Sequence, residues 1–145
     1  MIRTAQAVWH GTGKEGSGTL TTPSAALNNQ PYSWKLRFVD ESGVNGTNPE
    51  ELLAAAHAAC FTMAVSFQFS NHGFVPDELH TEAHVTIGPV EGKGNTITGI
   101  LLKLDAKASG VTDEQFAEFA ATAKANCPVS RALSVPITLE AKLVR

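Results

Sequence analysis

Asn48-Pro49-Glu50-Glu51-Leu52-Leu53-Ala54-Ala55-Ala56-His57-Ala58-Ala59-Cys60-Phe61-Thr62-Met63-Ala64-Val65-Ser66-Phe67-Gln68-Phe69-Ser70-Asn71 is the stretch on which the fold turns. It opens as a helix opens. Asn48 can cap, Pro49 suits the first helical position, and Glu50 and Glu51 lie at the positive end of the helix dipole. Glu51 also stands at the capping-box position, so a structural role needs at most one of the two carboxylates. The sequence predicts a helix from here to about Asn71, roughly 30 Å long. It is apolar almost all round, which marks a buried central helix rather than a surface one. Small residues at Ala54, Ala55, Ala56, Ala58 and Ala59 would let another backbone come close. A chain of 145 residues would struggle to cover such a helix on every side, so a homodimer with these helices near its centre is expected. The run from Leu52 to Phe69 also suggests a membrane helix, but it is rich in Ala and interrupted by His57, Thr62, Ser66 and Gln68. A membrane span is therefore rejected.

On either side the pattern reads as strands. Expected strands lie near Thr4 to His10, Gly18 to Thr22 and Tyr32 to Val39. In the last, Tyr32, Trp34, Leu36 and Phe38 alternate with Ser33, Lys35, Arg37 and Val39, which puts the aromatics on the core side and Arg37 on the other. A loop from Asp40 to Thr47 leads into the helix. Beyond it, Glu78 to Ile87 and Asn95 to Lys107 read as a hairpin. Thr112, with Gln115 in the capping-box position, starts a second helix that carries Phe116, Phe119, Ala120 and Ala123 at helical spacing and stops near Asn126. Val135 to Leu143 reads as a final strand. With no repeat, linker or low-complexity stretch, the expectation is one domain over residues 1–145. The chain is 43% apolar with a formal charge of −3, and its Lys and Arg are scattered, which argues against nucleic acid as a partner. The first nine residues carry no secretory pattern, so a cytoplasmic location is expected.

Two cysteines cannot make a disulfide framework. In a reducing compartment such a pair is catalytic, metal-binding or simply buried. Cys60 lies mid-helix in apolar surroundings, where a small buried hydrophobe is the plain reading. Cys127, just before Pro128, falls at the N-cap of a short helix, where free backbone N–H groups favour a thiolate. Zinc wants paired ligands at tight spacing, and neither CxxC nor HxxxH occurs. His57, one turn before Cys60, reads as a hydrogen-bonded core histidine rather than a ligand or a base.

Three segments together carry a family pattern: Thr47-Asn48-Pro49-Glu50-Glu51-Leu52-Leu53, Ala56-His57-Ala58-Ala59-Cys60-Phe61 and Asn126-Cys127-Pro128-Val129-Ser130. The chain resembles the osmotically inducible protein C and organic hydroperoxide resistance (OsmC/Ohr) family. The likeness extends over nearly the whole chain, and Asn29-Gln30-Pro31-Tyr32 with the stretch around Arg37 points to the OsmC branch. The resemblance implies an α+β fold in which antiparallel sheets pack against a long central helix and a second helix, in an intertwined homodimer. It implies a cysteine-based peroxidase that reduces organic hydroperoxides in oxidative or osmotic stress, with no metal or prosthetic group. An external dithiol, from a lipoyl protein or a thioredoxin-type donor, restores it. Cys60 matches the peroxidatic cysteine, Cys127 the resolving cysteine, Glu50 the carboxylate ten residues before the reactive cysteine, and Arg37 the arginine of this branch. His57 matches no catalytic position.

Physical chemistry supports this set. A free thiol with pKa about 8.5 is only a few per cent ionised at pH 7. A guanidinium about 4 Å away contributes on the order of 4 kcal/mol at an effective dielectric near 20, and two pKa units need only about 2.7. Glu50 would hold that guanidinium through a bidentate pair. On a straight helix Glu50 and Cys60 stand about 15 Å apart along the axis and about 80° apart in direction. The expectation is therefore that Glu50 serves the Cys60 of a partner subunit, with Arg37 acting in cis or in trans as open alternatives. Phe61, Met63, Phe67 and Phe69 around the cysteine suggest an apolar approach. Two rival readings stay open: a thiol redox switch that does not turn over, and an apolar-ligand carrier on the same fold.

Overall fold

A computed structural model describes all residues, Met1–Arg145, as two compact units, Met1–Leu52 and Leu53–Arg145. The first holds an antiparallel sheet of β1 (Gln6–His10), β2 (Ser17–Thr21) and β3 (Gln30–Ser33), in that order. Gly18 pairs with Trp9 on one side and Tyr32 on the other. A Cβ there would overlap the Val8 carbonyl oxygen and press on both rings. Its bare backbone lets Trp9 and Tyr32 meet, their centroids 5.2 Å apart.

The expected strand from Tyr32 to Val39 ends early. The chain leaves the sheet at Ser33 and coils into α1 (Trp34–Phe38). Ser33 has extended backbone, and its hydroxyl accepts the Leu36 N–H at 3.0 Å, an N-cap that outweighs the strand pattern. Alternation misleads here because Trp34 and Phe38 are also four apart. On one turn of helix their rings come to 5.6 Å.

The long helix forms where expected, as α2 (Pro49–Asn71), and the Asn48 side chain accepts the Glu51 N–H at 2.8 Å. Glu51 does not close a capping box; its carboxylate takes the Thr47 hydroxyl instead, at 2.5 Å. Burial of α2 within one chain follows a stripe rather than the whole circumference. His57, Phe61, Val65 and Phe69, each four residues on, are fully buried, while Met63 and Phe67 are 61% and 59% exposed. Ala55, Ala56 and Ala59 are exposed with them.

In the second unit β4 (Pro76–Val90) and β5 (Gly94–Ala108) make the expected hairpin. The sheet is not wholly antiparallel, however, because β6 (Ile137–Val144) lies parallel to β5. The reason is the connection. Between β5 and β6 run α3 (Asp113–Asn126) and α4 (Pro128–Ala132), enough chain to return the last strand in the same direction. Thr112 and Gln115 form the capping box of α3. Phe116, Phe119, Ala120 and Ala123 of α3 join Phe61, Val65 and Phe69 of α2 and Ile100, Leu102 and Leu104 of β5 in one buried core. Phe69 meets Phe119 edge-on at 5.3 Å. α2 is long and apolar enough to cross a bilayer, yet its buried stripe is part of this core.

Candidate active site

The four residues singled out by sequence fall into two pairs, one in each unit. In the first unit, Arg37 projects from α1 and Glu50 from the first turn of α2. The guanidinium grips the carboxylate with both arms: Arg37 Nε donates to Glu50 Oε2 at 3.0 Å and Nη2 donates to Oε1 at 2.5 Å. The loop between them is tied down, since the Thr47 N–H donates to the Pro31 carbonyl at 2.9 Å, and Thr47 bridges to Tyr32 of β3. Glu50 is buried, while about a third of the Arg37 side chain stays exposed. The guanidinium carbon lies 4.8 Å from the Phe38 ring centroid. Beside the pair opens a cavity of about 150 Å³ whose walls include Trp9, Tyr32, Trp34, Arg37 and Phe38. The pair matches the expectation; the aromatic wall was not foreseen, because its members are spread over two strands and a helix.

In the second unit, Cys60 of α2 and Cys127 meet as free thiols within hydrogen-bonding reach of each other. Cys127 is at once the end of α3 and the N-cap of α4, with Pro128 as the first residue of the new helix. Arg131 fastens this turn by donating from Nε to the Ala125 carbonyl at 3.1 Å and from Nη2 to Asn126 Oδ1 at 2.7 Å. Cys127 is fully buried, whereas Cys60 is half-buried. The two thiols are polarised in opposite senses. Burial pushes Cys60 above the ordinary thiol value, opposed by the Val129 N–H and reinforced by its neighbour Cys127. At Cys127 burial also pushes upward, but hydrogen bonds from the Ser130 N–H, Cys60, the Ser130 hydroxyl and the Val129 N–H together outweigh it. Its thiol therefore lies below the ordinary value, and within one chain Cys127 gives up its proton first.

His57 is a core histidine, as expected. It is fully buried, and its Nε2 lies 2.8 Å from Ser130 Oγ. Nδ1 has no hydrogen-bond partner, and burial alone lowers the pKa of the ring. Ser130 is the residue the sequence reading passed over. The cue was the serine two places after a helix-starting proline, beside a cysteine. Of the four aromatic and sulfur side chains expected to line an approach to Cys60, Phe61 and Phe69 belong to the core, and only Met63 and Phe67 face outward. No group of three or more His, Cys, Asp or Glu side chains suited to a metal comes together.

Two mixed units, a long helix shared by both, and a pair of free thiols at a helix junction define an α+β thiol protein. The OsmC-like protein family profile matches residues 40–142, and the chain belongs to that family. Among curated relatives, peroxiredoxin OsmC of Escherichia coli is 45% identical over 138 residues, covering 95% of this chain and 94% of its own. The organic hydroperoxide resistance protein of Xanthomonas axonopodis pv. citri is 31% identical over 106 residues, covering 71% of this chain and 72% of its own. Among solved structures, the organic hydroperoxide resistance protein OhrB of Bacillus subtilis superposes with a TM-score of 0.71 at 26% identity, over 96% of this chain and 98% of its own.

Proposed function

We propose that this chain is a thiol peroxidase that reduces organic hydroperoxides to alcohols, acting in the cytoplasm as a homodimer in which both units serve one peroxidase domain. The observation that carries the reading is the meeting of Cys60 and Cys127, in a chain whose relatives are named for peroxiredoxin activity and hydroperoxide resistance. Accessibility decides which thiol attacks. Cys127 is the more acidic but fully buried, so a hydroperoxide can reach only Cys60. The Cys60 thiolate attacks the terminal peroxide oxygen, the O–O bond breaks, and the alkoxide takes up a proton and leaves as the alcohol. Cys60 is then a sulfenic acid. The Cys127 thiolate attacks that sulfur; an S–S bond forms, the S–O bond breaks, and hydroxide leaves and is protonated to water. An external dithiol, of lipoyl or thioredoxin type, reduces the disulfide to the two thiols, and no metal or organic cofactor takes part.

Burial holds the Cys60 thiol up, so its attack needs a cation. The preassembled Arg37–Glu50 fork is suited to supply one, and the ten-residue helical separation of Glu50 and Cys60 favours delivery to the partner subunit's Cys60. The uncovered face of α2, with Ala55, Ala59, Met63 and Phe67, is the surface on which the second copy packs. Steady-state reduction of tert-butyl or cumene hydroperoxide and of hydrogen peroxide, with a dithiol donor, tests the reading. Turnover that favours the organic peroxide and vanishes in Cys60→Ser is expected. A disulfide that forms without sustained turnover with any dithiol would make the protein a redox switch instead.

A further inference from the structure

We infer that His57 and Ser130 are positioning residues for Cys127, forming a one-way hydrogen-bond relay that aims the Ser130 hydroxyl proton at the Cys127 sulfur and so prepares it to attack the Cys60 sulfenic acid. This rests on the peroxidase reading above and adds two residues that it does not use.

The direction of the relay follows from the surroundings of one ring. His57 is fully buried among core residues of α2, and its only hydrogen-bond contact is Nε2 with Ser130 Oγ at 2.8 Å. Protonating both nitrogens would bury a charge with an unpaired N–H, and burial disfavours it. A neutral ring has two tautomers. If Nδ1 carried the proton, a buried N–H would be left with no acceptor, the rarer and more costly kind of orphan. The proton therefore sits on Nε2, which donates to Ser130 Oγ. With that lone pair engaged, the serine O–H turns to the other acceptor in reach, the Cys127 sulfur. The arrangement favours a thiolate there, since a Cys127 S–H pointing at Ser130 would occupy the second lone pair of Oγ and leave the serine O–H without either of its two side-chain partners as an acceptor. The solitary Nδ1 is thus what gives the relay its direction.

In the second chemical step the Cys127 thiolate gives its electron pair to the Cys60 sulfur and is oxidised, while the sulfenic sulfur is reduced and releases hydroxide. Ser130 and His57 gain and lose nothing; they fix the sulfur's lone pair and its ionisation before the step. Their loss should slow disulfide formation and leave the earlier oxidation of Cys60 comparatively intact.

The test uses the full-length protein and four variants: Ser130→Ala and His57→Leu, which break the relay, and Ser130→Thr and His57→Gln, which retain a hydroxyl and an N–H donor. After one equivalent of tert-butyl hydroperoxide, the Cys60 sulfenic acid is trapped with a dione reagent and disulfide formation is followed in parallel. Thiolate absorbance of Cys127 is titrated in a Cys60→Ser background. The expected result is a disulfide step about tenfold slower relative to Cys60 oxidation in the breaking variants, as for the loss of one hydrogen bond to a charged group. The Cys127 titration should move to higher pH in the same two and return toward wild type in Ser130→Thr and His57→Gln. Equal disulfide rates and unchanged titration in all four, or an equal slowing of both steps, would overturn the relay. A wild type that forms no disulfide at all would instead overturn the peroxidase reading beneath it.

Discussion

The two units solve the problem of an interior in opposite ways. Every fully buried apolar side chain belongs to Leu53–Arg145, where Phe61, Phe69, Leu102, Leu104 and Phe119 make a hydrocarbon core around the thiol pair. In Met1–Leu52 the only buried residues are Thr47 and Glu50. One unit is held by the hydrophobic effect and contains both cysteines. The other is held by a sheet, tied turns and a guanidinium–carboxylate fork. A segment of about fifty residues without an apolar core is marginal on its own. Its polar interior suits the Arg37 guanidinium, which would meet a large desolvation cost if packed in hydrocarbon.

The largest expected effect breaks the comparison at its reactive end. Cys60→Ser should abolish peroxide turnover, while Cys127→Ser should still release one equivalent of alcohol and then accumulate a trappable sulfenic acid in place of a disulfide. A Cys127→Ser protein that cycles normally would show that the second thiol is not part of the reaction. Next comes the charged end. Arg37→Ala should lower kcat/KM for tert-butyl hydroperoxide about a hundredfold, the equivalent of two pKa units, and should move the alkaline rise in rate to higher pH. The sign follows from burial, which raises Cys60; removing the cation proposed to oppose it leaves that push uncompensated, so the thiolate forms only in more basic solution.

Stability should divide along the same line. Phe69→Ala, in the core, should cost about 3–5 kcal/mol in urea unfolding. Phe67→Ala, two residues earlier and exposed within one chain, should change monomer unfolding little and weaken dimerisation in sedimentation. Equal losses from both would mean that the two faces of α2 are not distinct. The smallest expected effect is Thr112→Ala, which removes the capping box of α3 and should cost about 1 kcal/mol.

Much of the helix and hairpin framework was legible. Asn48-Pro49-Glu50-Glu51 marked the start of α2 and Thr112 with Gln115 that of α3, because caps are local chemistry written in adjacent residues. The hairpin of β4 and β5 follows from alternation alone. The parallel placement of β6 was not legible, since strand direction depends on how the connecting helices pack. The short helix α1 was hidden by a coincidence of periods, with Trp34 and Phe38 spaced to satisfy both a strand and a helical turn. For the site, Cys60, Cys127 and Glu50 were named from the motif segments and Arg37 from the stretch around it, and the structure places the four in two pairs. Ser130 escaped because its importance lies in a contact with His57 across 73 residues, a relation that no local pattern records.

The shared site is tested most directly by mixing. Arg37→Ala chains, about a hundredfold slower alone, and Cys60→Ser chains, inactive alone, are unfolded and refolded together at equal concentration, and hydroperoxide reduction is measured. In a symmetric dimer with sites built across the interface, half of the pairings are mixed and each holds one complete site, so about a quarter of wild-type activity should return. If activity stays at the level of the separate variants while mixed dimers are shown to form, arginine and cysteine act within one chain, and the account of a divided active site is wrong.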